Sequence, residues 1–328
     1  MKDDSRFIFI FLDGVGLNDG VETNPFAAAA CRYLPFHMPE PLLPDGTPVT
    51  PLDARLGVEG IPQSASGQGT LYTGINIPAR WGHRGSYPGL ALRKLLYRDN
   101  LIKNLMDMGL TAGFLNAYPH YAPVFQPPHL ELMPDGTFRF SSDFPRRFQR
   151  RLSTTTCMML SSGLKPRDER DIVRGDALYQ DFSNESLIRL GLDVPEFTPE
   201  QAAGIIADTA LSHDFLLYEF FQTDLYAHRR KFHECVELAA RLDRLVGLLI
   251  ERMDPARDTL VITSDHGNME DCSSSSHTLN PVPLVAWGRL GPELRTRIHS
   301  LADVTPTLLS ILKPSCGRGT MDSPSQRL

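Results

Sequence analysis

Three aspartates and three histidines are spaced as metal ligands would be. Asp13, Asp224 and Asp265 each follow an apolar, β-prone run. His228 lies four residues after Asp224, His266 adjoins Asp265, and His277 sits in a polar loop further on. Open α/β sheets bind ligands beyond the carboxyl ends of their strands, so three strand-end carboxylates can meet at one edge. A single Asp-His pair in a loop is often only a solvated turn, and a lone His277 reads as an exposed loop residue. Their joint occurrence carries the reading. Three Asp, three His and one hydroxyl are too many ligands for one tetrahedral ion and suit two ions sharing a nucleophile. Imidazole with carboxylate favours Zn²⁺ or Mn²⁺ over Ca²⁺ or Mg²⁺. The hydroxyl comes from Gln63-Ser64-Ala65-Ser66-Gly67-Gln68-Gly69-Thr70, which reads as a loop entering a helix near Ser66. A serine there is most simply an N-cap, but a helix start also stabilises an anion.

The elements that must position these groups follow from hydrophobic patterning. Phe7–Leu12 is a continuous apolar run, predicted to be a central strand buried on both faces. Leu110–Leu115, Phe215–Phe221 and Leu260–Ile262 read as further strands. Asn24–Arg32, Leu101–Met108, Pro199–Leu211 (capped by Thr198) and Arg230–Met253 read as helices, and a last helix begins at Leu301. Residues 34–52 read as proline-rich connection, and 78–99 as irregular. Leu130–Leu132 and Thr137–Phe140 flank Pro134-Asp135-Gly136, the signature of a hairpin. Arg146, Arg147, Arg150 and Arg151 follow at helical spacing, either a solvated face or a phosphate-contacting edge. The expected fold is α/β: a three-layer sandwich around a mostly parallel sheet, spanning 1–313. A small inserted cap occupies 120–165, and 314–328 form a polar tail.

Composition bounds the function classes. The chain has 328 residues, 41% hydrophobic and 22% charged, as ordinary globular proteins do. A net charge of −6 argues against a nucleic-acid partner. Five scattered cysteines form no Cys-x-x-Cys, which disfavours a disulfide framework and suits a reducing cytoplasm. No apolar run approaches the ~18 residues of a membrane span. The expected protein is therefore cytoplasmic, with no membrane partner.

The ordered set Leu12-Asp13-Gly14-Val15-Gly16, Ser66-x-x-Gly69, Asp224-x-x-x-His228, Asp265-His266-Gly267-Asn268 and His277-Thr278-x-Asn280-Pro281-Val282-Pro283 resembles the alkaline phosphatase superfamily. It is most similar to the metalloenzyme domain shared by cofactor-independent phosphoglycerate mutase and phosphopentomutase, over roughly 6–85 and 200–313. The closing Leu301-Ala302-Asp303-Val304-Thr305-Pro306 is similar too. The resemblance implies one ion on Asp224, His228 and His277, and a second on Asp13, Asp265, His266 and the Ser66 hydroxyl. Ser64 and Thr70 compete with Ser66 as nucleophile. Ser66 is preferred because glycines three and eight residues on, Gly69 and Gly74, match the mutase pattern.

The resemblance implies phosphoryl transfer through a phosphoserine on a small phosphorylated substrate, with two divalent ions as cofactors. About 157 residues separate Ser66 from Asp224, too few for the mutase's large second domain. Hydrolysis of a phosphomonoester or phosphodiester is therefore the leading expectation. A phosphomutase and a non-catalytic metal-binding module are the alternatives. Gln68, Asn116, Tyr118 and the arginines near 146 are candidate substrate contacts.

Overall fold

The computed structural model describes residues 5–20 and 22–313; the expected polar tail lies outside the described residues. The described residues form eight strands: β1 (Phe7–Leu12), β2 (Val49–Leu52), β3 (Ala112–Phe114), β4 (Leu130–Leu132), β5 (Phe138–Phe140), β6 (Phe215–Phe220), β7 (Thr259–Thr263) and β8 (Val282–Gly288). Six form one sheet in the order β2-β8-β7-β1-β6-β3. β1, β3, β6 and β7 run parallel; β8 is antiparallel to both β7 and β2.

β1 is central because it has no polar face to show water. Phe7, Phe9 and Phe11 pack into one core, while Ile8, Ile10 and Leu12 pack into the other. This is the two-residue period of a strand covered on both faces. Helices Pro199–Ala210 and Phe232–Glu251 cover the isoleucine side. Helices Ser64–Thr73, Leu101–Asp107 and Leu301–Leu312 cover the phenylalanine side. The layers are thus helix, sheet, helix. The Thr198 hydroxyl accepts from Gln201 N–H while the Gln201 side chain accepts from Thr198 N–H, a reciprocal cap worth ~1 kcal/mol.

Some expectations need correction. Val49–Leu52 lies inside the stretch read as connection, yet pairs with β8 as an edge strand. Pro51 is tolerated there because an edge needs donors on one side only. The stretch read as irregular holds two helices, Ile77–Trp81 and Leu90–Arg98. The first has Asn76 as its cap and Pro78 in its first turn, where proline favours a helix start. The hairpin forms as expected: β4 and β5 make a separate two-stranded sheet. It packs with Phe125, Phe144, Leu152 and Leu96 in a small core of its own.

Candidate metal centre

β1 and β7 end side by side, and each delivers a carboxylate at its carboxyl end. Asp13 follows β1, and Asp265 follows β7 after one residue, Ser264. Asp224 and His228 both lie on the helix Gln222–His228 that leaves β6. Four residues apart, they share a face, with His228 Nε2 3.2 Å from Asp224 Oδ2. The Asp265–Asn268 loop then carries His266 into the centre, and the loop before β8 brings His277.

Of the seven predicted ligands, the three carboxylates and three imidazoles lie together. Asp13, Asp265 and His266 form one group whose ligand atoms lie within 4.8 Å of one another; Asp224, His266 and His277 form another. His266 stands between them: Nε2 is 3.4 Å from Asp13 Oδ1 and 3.6 Å from Asp265 Oδ2, and its ring stacks on His277 at 3.7 Å. The expected division placed His266 with Asp13 and Asp265 alone; here it adjoins both sets.

The donor set fits divalent cations. His277 Nδ1 is 2.7 Å from the Pro62 carbonyl, and His228 Nδ1 is 2.7 Å from the Ser275 carbonyl. A carbonyl can only accept, so both Nδ1 atoms carry the proton and both Nε2 atoms present lone pairs. Those two Nε2 atoms face each other at 3.0 Å. In neutral rings these are facing lone pairs; a proton on His228, which Asp224 favours, or a cation between them makes the contact attractive. Tying Nδ1 to a backbone carbonyl is also how proteins orient metal-binding histidines. Asp13 Oδ1 is buried without a hydrogen-bond partner, which again suits a cation.

Charge perturbations agree with this crowding. Burial, and then the nearby Asp265, push the Asp13 carboxyl well above the usual range. Burial also opposes charge on Asp224, yet His228 and His266 hold it down to about 2. Burial disfavours a charged His266, but Asp265, Asp13 and Asp224 outweigh it and raise the imidazole to about 10. Cations would replace protons in such a cluster.

The hydroxyl differs from expectation. The helix starts at Ser64, not near Ser66. Ser64 Oγ lies 3.0 Å from His266 Nε2 and lines the cavity in front of the cluster. Ser66 Oγ turns away: it donates to the Gln63 carbonyl at 3.0 Å and accepts from Arg84 N–H at 3.3 Å. Two residues on a helix are about 200° apart, so only one of the pair can face the cluster. Ser66 is therefore corrected to Ser64 as the hydroxyl beside the candidate ligands. The glycine spacing misled because Gly69 and Gly74 serve packing, with a Cβ falling 3.0 Å from Leu92 and 2.6 Å from Pro306 respectively. Gly67 serves close approach too: a Cβ there would lie 2.6 Å from the Asp265 carbonyl, so Gly67 lets the helix approach the loop.

The predicted substrate contacts divide three ways. Tyr118 lines the cavity, with its hydroxyl 3.1 Å from Glu219 Oε2. Gln68 also lines it, but its amide is occupied, donating to Asp265 Oδ2 at 3.0 Å and Asp13 Oδ2 at 3.4 Å. Asn116 is corrected: it is buried and bonds the backbone N–H and carbonyl of Glu219, extending the β3–β6 pairing. Of the four arginines, Arg151 lines the cavity, whereas Arg147 stacks on Phe148.

Two acids escaped sequence reading. Glu270 is fully buried. It accepts from Gly16 N–H (2.7 Å), Asn268 N–H (2.8 Å), Asn280 Nδ2 (3.1 Å) and the Thr278 hydroxyl. It thereby fastens the β1, β7 and His277 loops together. Glu219 is buried within β6, accepts from Tyr118 and Thr155, and faces the cavity. Its signal was a charged residue inside an otherwise apolar strand.

This fold and this cluster support a place in the alkaline phosphatase superfamily. Residues 194–315 match the family model described as the Metalloenzyme superfamily. The 2,3-bisphosphoglycerate-independent phosphoglycerate mutase of Paracoccus denitrificans (strain Pd 1222) is 28% identical over 122 residues, 35% of this chain and 24% of that protein. That of Pseudomonas fluorescens (strain Pf-5) is 31% identical over 139 residues, 38% of this chain and 27% of that protein. The match thus spans about a quarter of these relatives' length. Among solved structures, the PH0037 protein of Pyrococcus horikoshii has a TM-score of 0.51 at 13% identity, covering 96% of this chain and 98% of that one. The alkaline phosphatase of the Antarctic bacterium TAB5 has a TM-score of 0.51 at 12% identity, covering 95% and 99%. At such identities these structures speak for the fold alone. No described helix is long and apolar enough to cross a membrane.

Proposed function

We propose that this chain is a metal-dependent phosphohydrolase that attacks a phosphoester with Ser64. The observation that carries the reading is the position of the Ser64 hydroxyl. It lies at a helix start, 3.0 Å from His266 Nε2, at the junction of two carboxylate–imidazole clusters and a cavity of about 560 Å³. The residues that would hold the ions are Asp224, His228 and His277 on one side, and Asp13, Asp265, His266 and Ser64 on the other. Bound divalent cations, Mn²⁺ or Zn²⁺, would lower the pKa of the serine hydroxyl and offset charge on the phosphoryl oxygens.

The chain's own residues supply the rest. Ser64 Oγ gives its proton to solvent water and forms the O–P bond as the ester O–P bond breaks, and the departing alkoxide takes a proton from water. Water then attacks phosphorus, and the seryl O–P bond breaks to free phosphate and restore the hydroxyl. The helix Ser64–Thr73 points its positive end at the phosphoryl group as negative charge builds. Gln68 holds Asp13 and Asp265 in place through its amide. Tyr87 and Arg151, both exposed, line the cavity and keep it open to water, which favours hydrolysis over transfer to a second hydroxyl.

The test is a panel of phosphomonoesters, phosphodiesters and phosphonates given to chelator-stripped protein with Mn²⁺ or Zn²⁺ restored separately. The expected result is metal-dependent release of inorganic phosphate. Phosphate moved to a second substrate hydroxyl, with little released, would replace hydrolysis by a mutase. Equal activity with and without metal would overturn the proposal.

A further inference from the structure

The cavity in front of Ser64 is lined by five aromatic rings, Tyr118, Tyr121, Phe125, Phe148 and Phe221. These rings hold one another. Tyr121 stacks on Phe125 at 5.6 Å and meets Phe148 edge-on at 4.8 Å. Tyr118 stacks on Phe221 at 6.5 Å and adjoins Tyr121 at 6.3 Å. Tyr118, Tyr121, Phe148 and Phe221 remain partly exposed although they pack beside buried neighbours. An apolar wall already fixed in place costs little ordering entropy when a flat ring settles on it.

The polar groups are few and placed. Glu219 is buried and lines the same cavity, and both of its side-chain hydrogen bonds, from Tyr118 and Thr155, fall on Oε2. Oε1 accepts from no side chain among the described residues, which leaves it for a donor on a ligand. Arg151 is the sole Lys or Arg among the lining residues. A polyanionic metabolite with a second phosphate or a carboxylate would need more fixed cation than that. The volume of about 560 Å³ falls in the range of sites that take a ring-bearing small molecule.

We infer that the organic part of the substrate is a planar aromatic group bearing a hydrogen-bond donor, stacked on the Tyr121–Phe148 wall with its donor on Glu219. The inference rests on the phosphoester reading above and names the substrate class of that same site. Tyr121 and Phe148 set the ring preference, and Glu219 sets the donor preference.

The test is calorimetric titration of the metal-loaded full chain with three probes that carry a C–P bond and no ester bond to break: ethylphosphonate, benzylphosphonate and 4-hydroxybenzylphosphonate. Binding needs no turnover, so this experiment and the phosphate-release panel can fail separately. Benzylphosphonate is expected to bind about tenfold or more tighter than ethylphosphonate. Titrated at pH 8, with Glu219 ionised, the 4-hydroxyl is expected to add about tenfold, as a hydrogen bond to a carboxylate does. Tyr121→Ala or Phe148→Ala should cut the ring preference to about threefold or less, and Glu219→Gln should shrink the hydroxyl preference alone. Equal affinity for ethyl and benzyl probes in wild type overturns the inference, as does a ring preference unchanged in both ring variants. A hydroxyl that adds nothing in wild type removes the role of Glu219 even if Glu219→Gln fails to fold. Preferential benzyl binding without any phosphoester turnover upholds this inference and sinks the reaction reading.

Discussion

Replacing Ser64 with alanine separates chemistry from folding more cleanly than any other change. Ser64 is buried, and its hydroxyl makes one hydrogen bond, to His266 Nε2 at 3.0 Å. Losing it costs about 0.5–1.5 kcal/mol of stability, a small part of the total. The same atom is the proposed nucleophile, so turnover should fall by about 10³-fold or more, roughly 4 kcal/mol of barrier. Ser66→Ala is the matched control. It removes a bond to the Gln63 carbonyl and one from Arg84 N–H, about 1–3 kcal/mol, while leaving the cavity untouched. Its kcat should stay within about threefold of wild type. The assay is the initial rate of phosphate release at saturating Mn²⁺, with thermal unfolding and bound metal measured on the same preparations. Wild-type turnover by Ser64→Ala with full metal content would rule out Ser64 as the nucleophile. So would an inactive Ser66→Ala beside an active Ser64→Ala.

Three further outcomes follow from the geometry. Glu270→Ala removes an acceptor that serves four donors on three loops; it should cost about 3–5 kcal/mol in urea unfolding and weaken metal binding. Gly14 has φ +68° and would place a Cβ 2.5 Å from Asp224 Oδ1, so Gly14→Ala should destabilise by about 1–3 kcal/mol and lower metal affinity at least about tenfold by titration. Burial raises the Glu219 carboxyl from 4.5 to about 7, despite the bonds from Thr155 and Tyr118. The folded state then holds this proton more tightly than the unfolded one. Its stabilisation is full below about pH 4.5, declines as pH rises to 7 and is gone above it, about 3 kcal/mol in all. Urea unfolding from pH 5 to 8 should show that slope in wild type and lose it in Glu219→Gln.

What could be read beforehand followed from side chains whose chemistry leaves few options. Six consecutive apolar residues at Phe7–Leu12 can only be covered on both faces, and so fix the middle of the sheet. Thr198 with Gln201 fixes a helix start. Asp13, Asp224 and Asp265 were legible because strand ends place them at one edge. The choice between Ser64 and Ser66 was not legible, since it depends on a helix phase set by tertiary packing of Gly67 against Asp265. Asn116 looked like a binding residue for its position after a strand; in three dimensions it substitutes for missing backbone pairing beside Glu219. Glu219 and Glu270 were passed over because no local pattern says that a buried acid will find donors from distant segments.

The claim at the centre is a covalent phosphoryl group on Ser64. The direct measurement is acid quenching of the metal-loaded protein during turnover of a ³²P-labelled phosphoester, with the labelled residue located by fragmentation mass spectrometry. Phosphate is expected on Ser64, absent from Ser64→Ala and present in Ser66→Ala. Label on Ser66 or another side chain, or no labelled protein while substrate is turned over at full rate, would contradict the claim.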